Sequence, residues 1–382
     1  MLSETAVRQA SGDRGEPHWL LERRLEAVRA YHKLSWPVEA AELVAPCADV
    51  DRAASARIKT EEEARRQGLI FMTLQEGLKA HPRLIEKHLG SVVAVDFDKA
   101  AALNMAGWSD GIVIYVPRGL EVSLPLQADL GTGGGAFQRT LIVADEGSSV
   151  HYLEGCSAPM GSPAALQAPV VELRALPGAR IRFTSLQDWP RRVVNLAVKR
   201  ARADAGASID WVDANLGSRL TVKRPGVVLA GKGARGRVRS FGFAGAGQRL
   251  ELGAEFVFEA PEASAELDLC CVAMEGGEVG CAAGISDKCV QGCRAQMRSE
   301  AFLLDEESSF RGEAVSGAAS ESRTIRPGQD QLSYLQTRGF DRRQAVALLA
   351  GGFLAPFARE LPLEYSVEFL RLVDLALEPG SS

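Results

Sequence analysis

Small and apolar residues recur at a steady spacing through the middle of the chain. The repeated unit is a small residue followed by apolar residues three and five positions later. It starts at Gly119, Gly147, Gly178 and Gly206, with looser copies at Gly233, Ser264 and Gly292, so the steps are 28, 31, 28, 27, 31 and 28 residues. Such a spacing is typical of a solenoid, whose units bury their apolar faces by stacking on each other. Because the apolar partners lie two residues apart, each unit is predicted to be a strand and the stack a β-helix.

An antiparallel β-sandwich is the main alternative for a chain with many short strands. Its hairpins bring turn residues about every 8 to 12 positions, much closer together than the repeat found here. Runs rich in Val, Ile, Leu and aromatic residues, such as 111–117 and 254–260, alternate with turn residues across this region. We therefore predict a mainly β protein in which residues 91–322 form the β-helix core.

Helical periodicity replaces the strand pattern before the repeat. Residues 1–90 are predicted to form an N-terminal helical segment. A capping box at Thr60 and Glu63 indicates the start of a helix that runs towards Leu78.

Helical periodicity also returns after the repeat, and residues 323–382 are predicted to form a C-terminal helical domain. One helix is expected to end at Gly339, and the last is expected to start at Pro362. The apolar face of that last helix holds Leu363, Val367, Leu370, Val373 and Leu377. We expect this face to pack on the end of the solenoid, where it is also suited to docking a partner.

Composition indicates a folded chain without an obvious polyanionic partner. Of the 382 residues, 46% are hydrophobic and 24% are charged, which is enough for a sizeable core. The 44 basic and 49 acidic residues give a net charge of -5 without a basic block, which argues against a nucleic-acid or membrane surface. No apolar signal segment begins the chain and no run reaches membrane-spanning length, so a cytoplasmic location is expected.

Cys156 lies in the segment YLEGCSAP, five residues after His151. That spacing suggests a thiol activated by a histidine, but strand parity argues against it. His151 alternates away from the apolar Val150 and Tyr152, whereas Glu154 and Cys156 share the inward parity if the strand continues. A cysteine protease or transferase is therefore not indicated, and Cys156 is either a small buried apolar residue or a reactive thiol.

The other cysteines do not form a recognisable metal motif. The chain has seven cysteines, an odd number, which favours reduced thiols over a disulfide framework. Five of them fall within 24 residues, at Cys270, Cys271, Cys281, Cys289 and Cys293. No Cys-x-x-Cys pair occurs, so structural thiols and ligands of a soft metal or iron-sulfur cluster both stay open.

Nucleotide-binding motifs are weak in this chain. Gly231, Gly233 and Gly236 match Gly-x-Gly-x-x-Gly, but the dinucleotide fingerprint needs a helix next and RVRSFGF has the pattern of a strand. No Gly-Lys-Ser/Thr phosphate loop is present, so nucleotide hydrolysis by this chain is not expected.

Several long segments, in order along residues 69–377, resemble the SufB/SufD family, the scaffold subunits of the SUF iron-sulfur cluster assembly machinery. The segments that carry the resemblance are LIFMTLQEGLKAHPRLIEKHLG, ALNMAGWSDGIVIYVPRGLEVSLPLQ, FQRTLIVADEGSSVHYLEGCSAP, WVDANLGSRLTVKRPGVVL, DQLSYLQTRGF and GGFLAPFARELPLEYSVE. The resemblance implies a right-handed parallel β-helix flanked by helices, a dimer formed through the β-helix, and a SufC-type ATPase on the C-terminal helices. It also implies a non-enzymatic scaffold that receives sulfur from a donor system and carries a transient iron-sulfur cluster.

The resemblance implies roles for particular residues. Cys156 corresponds to the SufB cysteine that accepts persulfide sulfur, and in the family sulfur is thought to travel inside the β-helix to a second cysteine near the dimer interface. The positions implied for docking the ATPase are Asp330, Gln331, Tyr334, Arg338 and Gly339.

The chain departs from the family pattern at the far end of that route. The position of the interface cysteine is Ser299, and the Glu-His-Glu triplet of the family becomes Ala319, Ser320 and Glu321. These changes remove the thiol and the imidazole suited to holding iron. Either a better-equipped partner completes the site, or Glu321 and the cysteines at 281, 289 and 293 take part.

We interpret the chain as a SUF scaffold subunit that accepts sulfur and supports cluster building with a SufB- or SufD-type partner or a second copy of itself. A degenerate subunit that binds the ATPase but builds no cluster is the alternative within the family. A polysaccharide-active β-helix enzyme is the alternative from another class. The low aromatic content of 6% and the lack of a secretion signal argue against it.

Overall fold

A computed structural model describes residues 2–44, 54–132, 137–157, 165–285, 292–313 and 318–377. The helices of these residues are α1 Glu4–Asp13, α2 His18–Lys33, α3 Ala41–Val44, α4 Glu61–Arg66, α5 Leu74–Ala80, α6 Pro82–His88, α7 Lys99–Gly107, α8 Gln329–Thr337, α9 Arg342–Ala358 and α10 Leu363–Ala376. The strands are β1 Ala54–Ile58, β2 Ile70–Thr73, β3 Asp110–Val116, β4 Leu126–Thr132, β5 Gln138–Ala144, β6 Ser149–Ser157, β7 Ala165–Gln167, β8 Val170–Ala175, β9 Arg180–Trp189, β10 Val193–Ala203, β11 Ser208–Gly217, β12 Leu220–Lys223, β13 Gly226–Leu229, β14 Arg235–Ala244, β15 Arg249–Phe258, β16 Ser264–Ala273, β17 Glu278–Ile285, β18 Arg294–Leu303, β19 Ser309–Gly312 and β20 Ala319–Ile325.

The strands stack into two long sheets that make a solenoid of about six turns. Sheet A has the order β1-β4-β6-β9-β11-β14-β16-β18-β20, and sheet B has the order β19-β17-β15-β12-β10-β8-β5-β3-β2. From β6 to β18 the neighbours in sheet A pair in parallel, which gives each turn the same inward and outward positions as the next. The predicted mainly parallel β-helix with flanking helices is confirmed.

The turns that precede the sheet A strands explain the glycine repeat. Gly147, Gly178 and Gly206 have φ between 65° and 71°, a left-handed conformation that favours glycine. The structure corrects one copy of the repeat. The residue with the equivalent conformation before β16 is Glu262, with φ 59°, and not Ser264. The glycine pattern was therefore broken there by a residue that adopts the same turn at a conformational cost.

Three apolar layers hold the molecule together. The largest lies inside the solenoid, between the two sheets, and contains an aromatic column of Phe71, Tyr152, Phe183 and Trp211 with ring centroids 5.1–6.1 Å apart. A second layer joins the N-terminal helices to the outer face of sheet B. A third layer joins α9 and α10 to the outer face of sheet A, so each helical segment covers a different sheet.

Two local predictions for the N-terminal segment are wrong. The helix that begins after Thr60 ends at Arg66, because Gly68 turns the chain with φ 78° and strand β2 follows. A capping box forms instead at Thr73 and Glu76, where α5 begins. Strands β1 and β2 thus lie within the segment predicted to be helical, and each pairs antiparallel with a solenoid strand.

The last helix also packs differently from the prediction. Val373 and Leu377 are buried as expected, but the side chains of Leu363 and Val367 are 80% and 62% exposed. The face that meets sheet A is centred on Phe369, whose ring contacts that of Phe241 edge to face at 4.8 Å between ring centroids. The leucine and valine positions on the outer side therefore stay uncovered in this chain.

Candidate functional site

Cys156 lies near the end of β6, with its thiol inside the solenoid. The strand alternates as the sequence predicted, so Tyr152, Glu154 and Cys156 are buried while His151 lies on the outer face. Cys156 belongs to the apolar layer between the sheets and is 5% exposed. Its position is fixed by parallel pairing with Leu130 of β4 on one side and Gln187 of β9 on the other.

The thiol of Cys156 is hydrogen bonded to a buried carboxyl group. Cys156 Sγ donates to Glu154 Oε1 at 3.4 Å, and Glu154 Oε2 accepts from Thr140 Oγ1 at 3.3 Å and from the Tyr152 hydroxyl at 3.4 Å. Burial raises the pKa of Glu154 above its ordinary value, and the nearby Lys199 opposes this. Burial likewise raises the pKa of the Cys156 thiol, and the charge of Glu154 adds to that effect.

Two lysines and an aspartate continue the polar interior beyond Glu154. Lys199 Nζ lies 2.6 Å from Asp213 Oδ1, and Lys223 Nζ lies 3.4 Å from the same oxygen. Burial alone would raise the pKa of Asp213, but the two ammonium groups hold it below its ordinary value. Burial lowers the pKa of Lys223 to about 8 even though Asp213 opposes the shift. The interior therefore holds two basic groups and two carboxyl groups in one connected region.

The polar side chains follow two rows that run across the strands. Strand pairing places Glu154, Ser185, Asp213 and Ser240 in one row. It places Cys156, Gln187 and Asn215 in a second row, followed by Gly242 and Cys271. Sequence analysis predicted the inward direction of Glu154 and Cys156 but missed the rest of these rows. The residues seven and nine positions after each turn glycine face inward in every turn. The repeat itself could therefore have identified the two rows.

Apolar side chains interrupt the polar interior towards the far end of the solenoid. A side chain at Gly242 would meet Leu252 Cδ1 at 2.7 Å and Leu250 Cδ1 at 2.9 Å, so these leucines fill the space beside it. Cys271 Sγ also lies beside this point, 3.3 Å from the position of such a side chain, and both Cys271 and Cys281 are buried. Strands β9, β11 and β14 lie between β6, which carries Cys156, and β16, which carries Cys271, and Cys281 follows on β17, so the structure does not bring either thiol together with Cys156.

Cys281 lies at the far end of the solenoid beside several predicted site residues. It lines a pocket of about 60 Å³ together with Ser299, Glu313, Ser320 and Glu321. Ser299, at the position where the family resemblance implies a cysteine, bonds to Ser322 with 3.1 Å between their hydroxyl oxygens. Burial raises the pKa of Cys281 to about 11, although the Ser299 hydroxyl lowers it in part.

Metal-binding geometry is absent from the described part of the chain, where no group of three or more His, Cys, Asp or Glu side chains is placed to hold an ion. Cys293 lies outside the pocket of Cys281, and its Sγ donates to the Ala260 carbonyl oxygen at 3.4 Å. Cys289 lies outside the described residues. The five described cysteines at 156, 270, 271, 281 and 293 are all free thiols.

The positions expected to dock an ATPase are exposed. They lie on α8 or just after it, at Asp330, Gln331, Tyr334, Arg338 and Gly339. Tyr334 has 58% of its surface exposed and its ring stacks against the Arg338 guanidinium at 5.2 Å. Together with Leu363 and Val367 of α10, Tyr334 leaves apolar surface uncovered on the C-terminal helices.

Fold and interior together define the class of this protein: a parallel β-solenoid that encloses a thiol in a charged interior. Residues 127–353 match the family described as SUF system FeS cluster assembly, SufBD core domain, and residues 54–128 match the SufBD protein N-terminal region. An iron-sulfur cluster assembly SufBD family protein of Staphylococcus aureus strain MRSA252 is 33% identical over 434 residues, covering 99% of this chain and 93% of that protein. A SufBD family protein of Staphylococcus saprophyticus is 32% identical over 433 residues, with the same coverage.

The chain therefore belongs to the SufBD family of the SUF iron-sulfur cluster assembly system. This confirms the family resemblance drawn from the sequence segments. Among the described helices, none combines the length and the apolar character needed to cross a lipid bilayer.

Proposed function

We propose that this chain is a sulfur-accepting scaffold subunit of a SUF complex, with Cys156 as the acceptor. The observation that carries the proposal is the environment of the thiol. An ordinary buried cysteine lies among apolar side chains, whereas Cys156 donates to a buried carboxyl group and belongs to a row of polar side chains. Burying ionisable groups is costly, and such groups tend to occur where a protein carries out chemistry.

The proposal includes a partner subunit that completes cluster building. In this chain the far end of the solenoid has Ser299 and Ser320 where the family resemblance implies a thiol and an imidazole. Strands β9, β11 and β14 also separate Cys156 on β6 from Cys271 on β16. Sulfur accepted at Cys156 is therefore used together with a SufB- or SufD-type subunit, and a SufC-type ATPase binds the exposed C-terminal helices.

Persulfide labelling of the subunit tests the acceptor role. The intact protein is loaded anaerobically by a desulfurase-based sulfur donor, and persulfides are located by mass spectrometry of peptides. Cys156→Ala is expected to abolish labelling, while Cys270→Ala, whose thiol lies outside the polar rows, is expected to retain it. Undiminished labelling of Cys156→Ala would refute the proposal.

One observation favours a second function, that of a supporting subunit that binds the ATPase but takes no part in sulfur transfer. The hydroxyl of Ser299, where the family resemblance implies a thiol, is bonded to the hydroxyl of Ser322 at 3.1 Å. Anaerobic co-expression with candidate partners, followed by iron and sulfide analysis, separates the two functions. The acceptor role requires that Cys156→Ala reduces the cluster content of the complex, whereas the supporting role requires no change.

A further inference from the structure

We propose that Glu154 is the catalytic base that takes the proton from Cys156 during sulfur transfer. This inference rests on the proposed acceptor role of Cys156 and adds a second residue to that site. The two side chains are two residues apart on β6 and point into the same interior space. Their direct contact, with 3.4 Å between Cys156 Sγ and Glu154 Oε1, is within hydrogen-bond reach for proton transfer.

The other hydrogen bonds of Glu154 orient it towards the thiol. Thr140 Oγ1 and the Tyr152 hydroxyl both donate to Oε2, at 3.3 and 3.4 Å. Thr140 comes from sheet B and Tyr152 from sheet A, so the carboxyl group is held from both sides of the solenoid. Oε1 is thereby directed at Cys156, an arrangement in which a third group positions the base.

The charges around Glu154 suit a proton that moves between the carboxyl group and the thiol. Lys199 of β10 and Lys223 of β12 act on both groups and favour a negative charge on either one. Two groups counteract the lysines. Asp213 of β11 binds both of them, and the hydroxyl of Tyr365 of α10 interacts with both Glu154 and Cys156. Moving the proton from the thiol to the carboxylate leaves the net charge of the interior unchanged, and the lysines stabilise the negative charge at either position.

Sulfur transfer then balances as a thiol exchange. Cys156 gives its proton to Glu154, and the resulting thiolate attacks the outer sulfur of the donor persulfide. A bond forms between Cys156 Sγ and that sulfur, the sulfur-sulfur bond of the donor breaks, and the donor leaves as a thiolate. The proton on Glu154 passes to that leaving thiolate, so no external oxidant or reductant is needed.

His151 is the base that sequence spacing suggests, and the structure argues against it. His151 lies on the outer face of sheet A, where its Nε2 is 2.9 Å from Thr184 Oγ1. Burial, assisted by Arg182, lowers the pKa of His151 to about 4. It therefore serves as a control, since it lies on the same strand, five residues from Cys156, but on the opposite face.

Single-turnover sulfur transfer from glutathione persulfide tests the role of Glu154. The rate at which Cys156 gains one sulfur is measured by quenched mass spectrometry between pH 6 and 9 on the intact protein. Glu154→Gln keeps the shape of the side chain and is expected to slow the reaction by about 100-fold or more at pH 7. Its rate is expected to rise about tenfold per pH unit, because hydroxide must then deprotonate the thiol, whereas the native rate rises less steeply. His151→Asn is expected to match the native protein.

The outcomes distinguish this inference from the acceptor role. If Cys156 of the native protein gains no sulfur, the proposed function fails. If it gains sulfur and Glu154→Gln has the native rate and the native pH profile, only the role of Glu154 is overturned. Should Glu154→Gln not fold, as judged by circular dichroism, Glu154→Asp provides the test. It retains a carboxyl group farther from Sγ, so a reduced rate with the shallow native pH profile supports the inference, and an unchanged rate contradicts it.

Discussion

Replacing Asp213 by asparagine removes the carboxylate that Lys199 and Lys223 share inside the solenoid. At an effective dielectric constant of about 20, charges separated by 2.6 and 3.4 Å attract each other by about 6 and about 5 kcal/mol. Losing the buried carboxylate also removes its own desolvation cost, which offsets several kcal/mol of that attraction. We therefore expect Asp213→Asn to lower the free energy of unfolding by about 3–5 kcal/mol at pH 7.

The loss of unfolding free energy in Asp213→Asn should become smaller as the pH rises. The pKa of Lys223 is about 8 in the folded chain and ordinarily 10.5, so folding penalises its charged form. This penalty on stability is constant below pH 8. It falls as the pH rises from 8 towards 10.5, because in that range the unfolded chain binds more protons than the folded chain. In Asp213→Asn, Lys223 limits the cost of its buried charge by releasing its proton. Its contribution to the loss of unfolding free energy is therefore at most about 1.4 kcal/mol for each pH unit below 8. Above pH 8 that share disappears, since Lys223 is then neutral in both folded proteins.

Urea denaturation followed by far-ultraviolet circular dichroism at pH 6, 7 and 9 measures the effect. The difference in unfolding free energy between native protein and variant should be about 1.4 kcal/mol smaller at pH 9 than at pH 7, and larger at pH 6. Adding Lys223→Met to Asp213→Asn should remove this dependence on pH while leaving the loss that Lys199 causes. An equal difference at pH 7 and pH 9 would refute the assignment of Lys223 as the titrating group.

Two further predictions concern a buried ion pair on the outer face of sheet B and the exposed side of α10. Glu172→Ala leaves the buried Arg139 without the carboxylate that lies 2.5 Å away, and should lower the unfolding free energy by about 3–5 kcal/mol in urea denaturation. A loss under about 1 kcal/mol would contradict this, because it would mean that the ion pair does not need both partners. Leu363→Asp combined with Val367→Asp should end co-purification of the ATPase without changing the melting temperature, since both side chains are exposed. Leu124→Asp, at an apolar position on the solenoid that is 57% exposed, should leave ATPase binding intact, and retained binding by the double variant would refute the docking surface.

The fold could be predicted from the repeat because every turn of a solenoid packs on its neighbours in the same way. A turn in a left-handed conformation, then inward apolar residues, is enough to define a strand and its neighbours. The same reasoning failed where no repeat constrained the chain. Thr60 and Glu63 have the residue types of a capping box, but Thr60 makes no side-chain capping bond and the helix stops after six residues. Local capping chemistry therefore predicted where that helix began and not how far it ran.

The candidate site was only partly predictable from sequence, because some of its contacts cross from one sheet to the other. Parity along β6 was enough to place Glu154 and Cys156 on the same side. Lys199 and Lys223 could not be assigned in this way, because they come from sheet B and meet Asp213 across the solenoid. A contact of that kind depends on how the two sheets face each other, which the spacing within one strand does not determine. The exposure of Leu363 and Val367 was missed for the same reason, since the side of α10 that packs on sheet A holds Phe369 and Val373.

The positions of the candidate site residues along the solenoid bear on the proposed function. The thiol and its hydrogen-bonded carboxyl group lie several strands from the far end, enclosed by both sheets, where their burial is costly to maintain. Ser299 and Ser320, where the family resemblance implies a thiol and an imidazole, lie on β18 and β20, and β20 is the last described strand of sheet A. A partner that pairs with an edge strand supplies its own side chains at that edge, whereas no partner can supply groups inside the solenoid. The edge position of Ser320 and the enclosed positions of Cys156 and Glu154 are therefore those expected of the proposed subunit, which accepts sulfur itself and shares its cluster site with a partner.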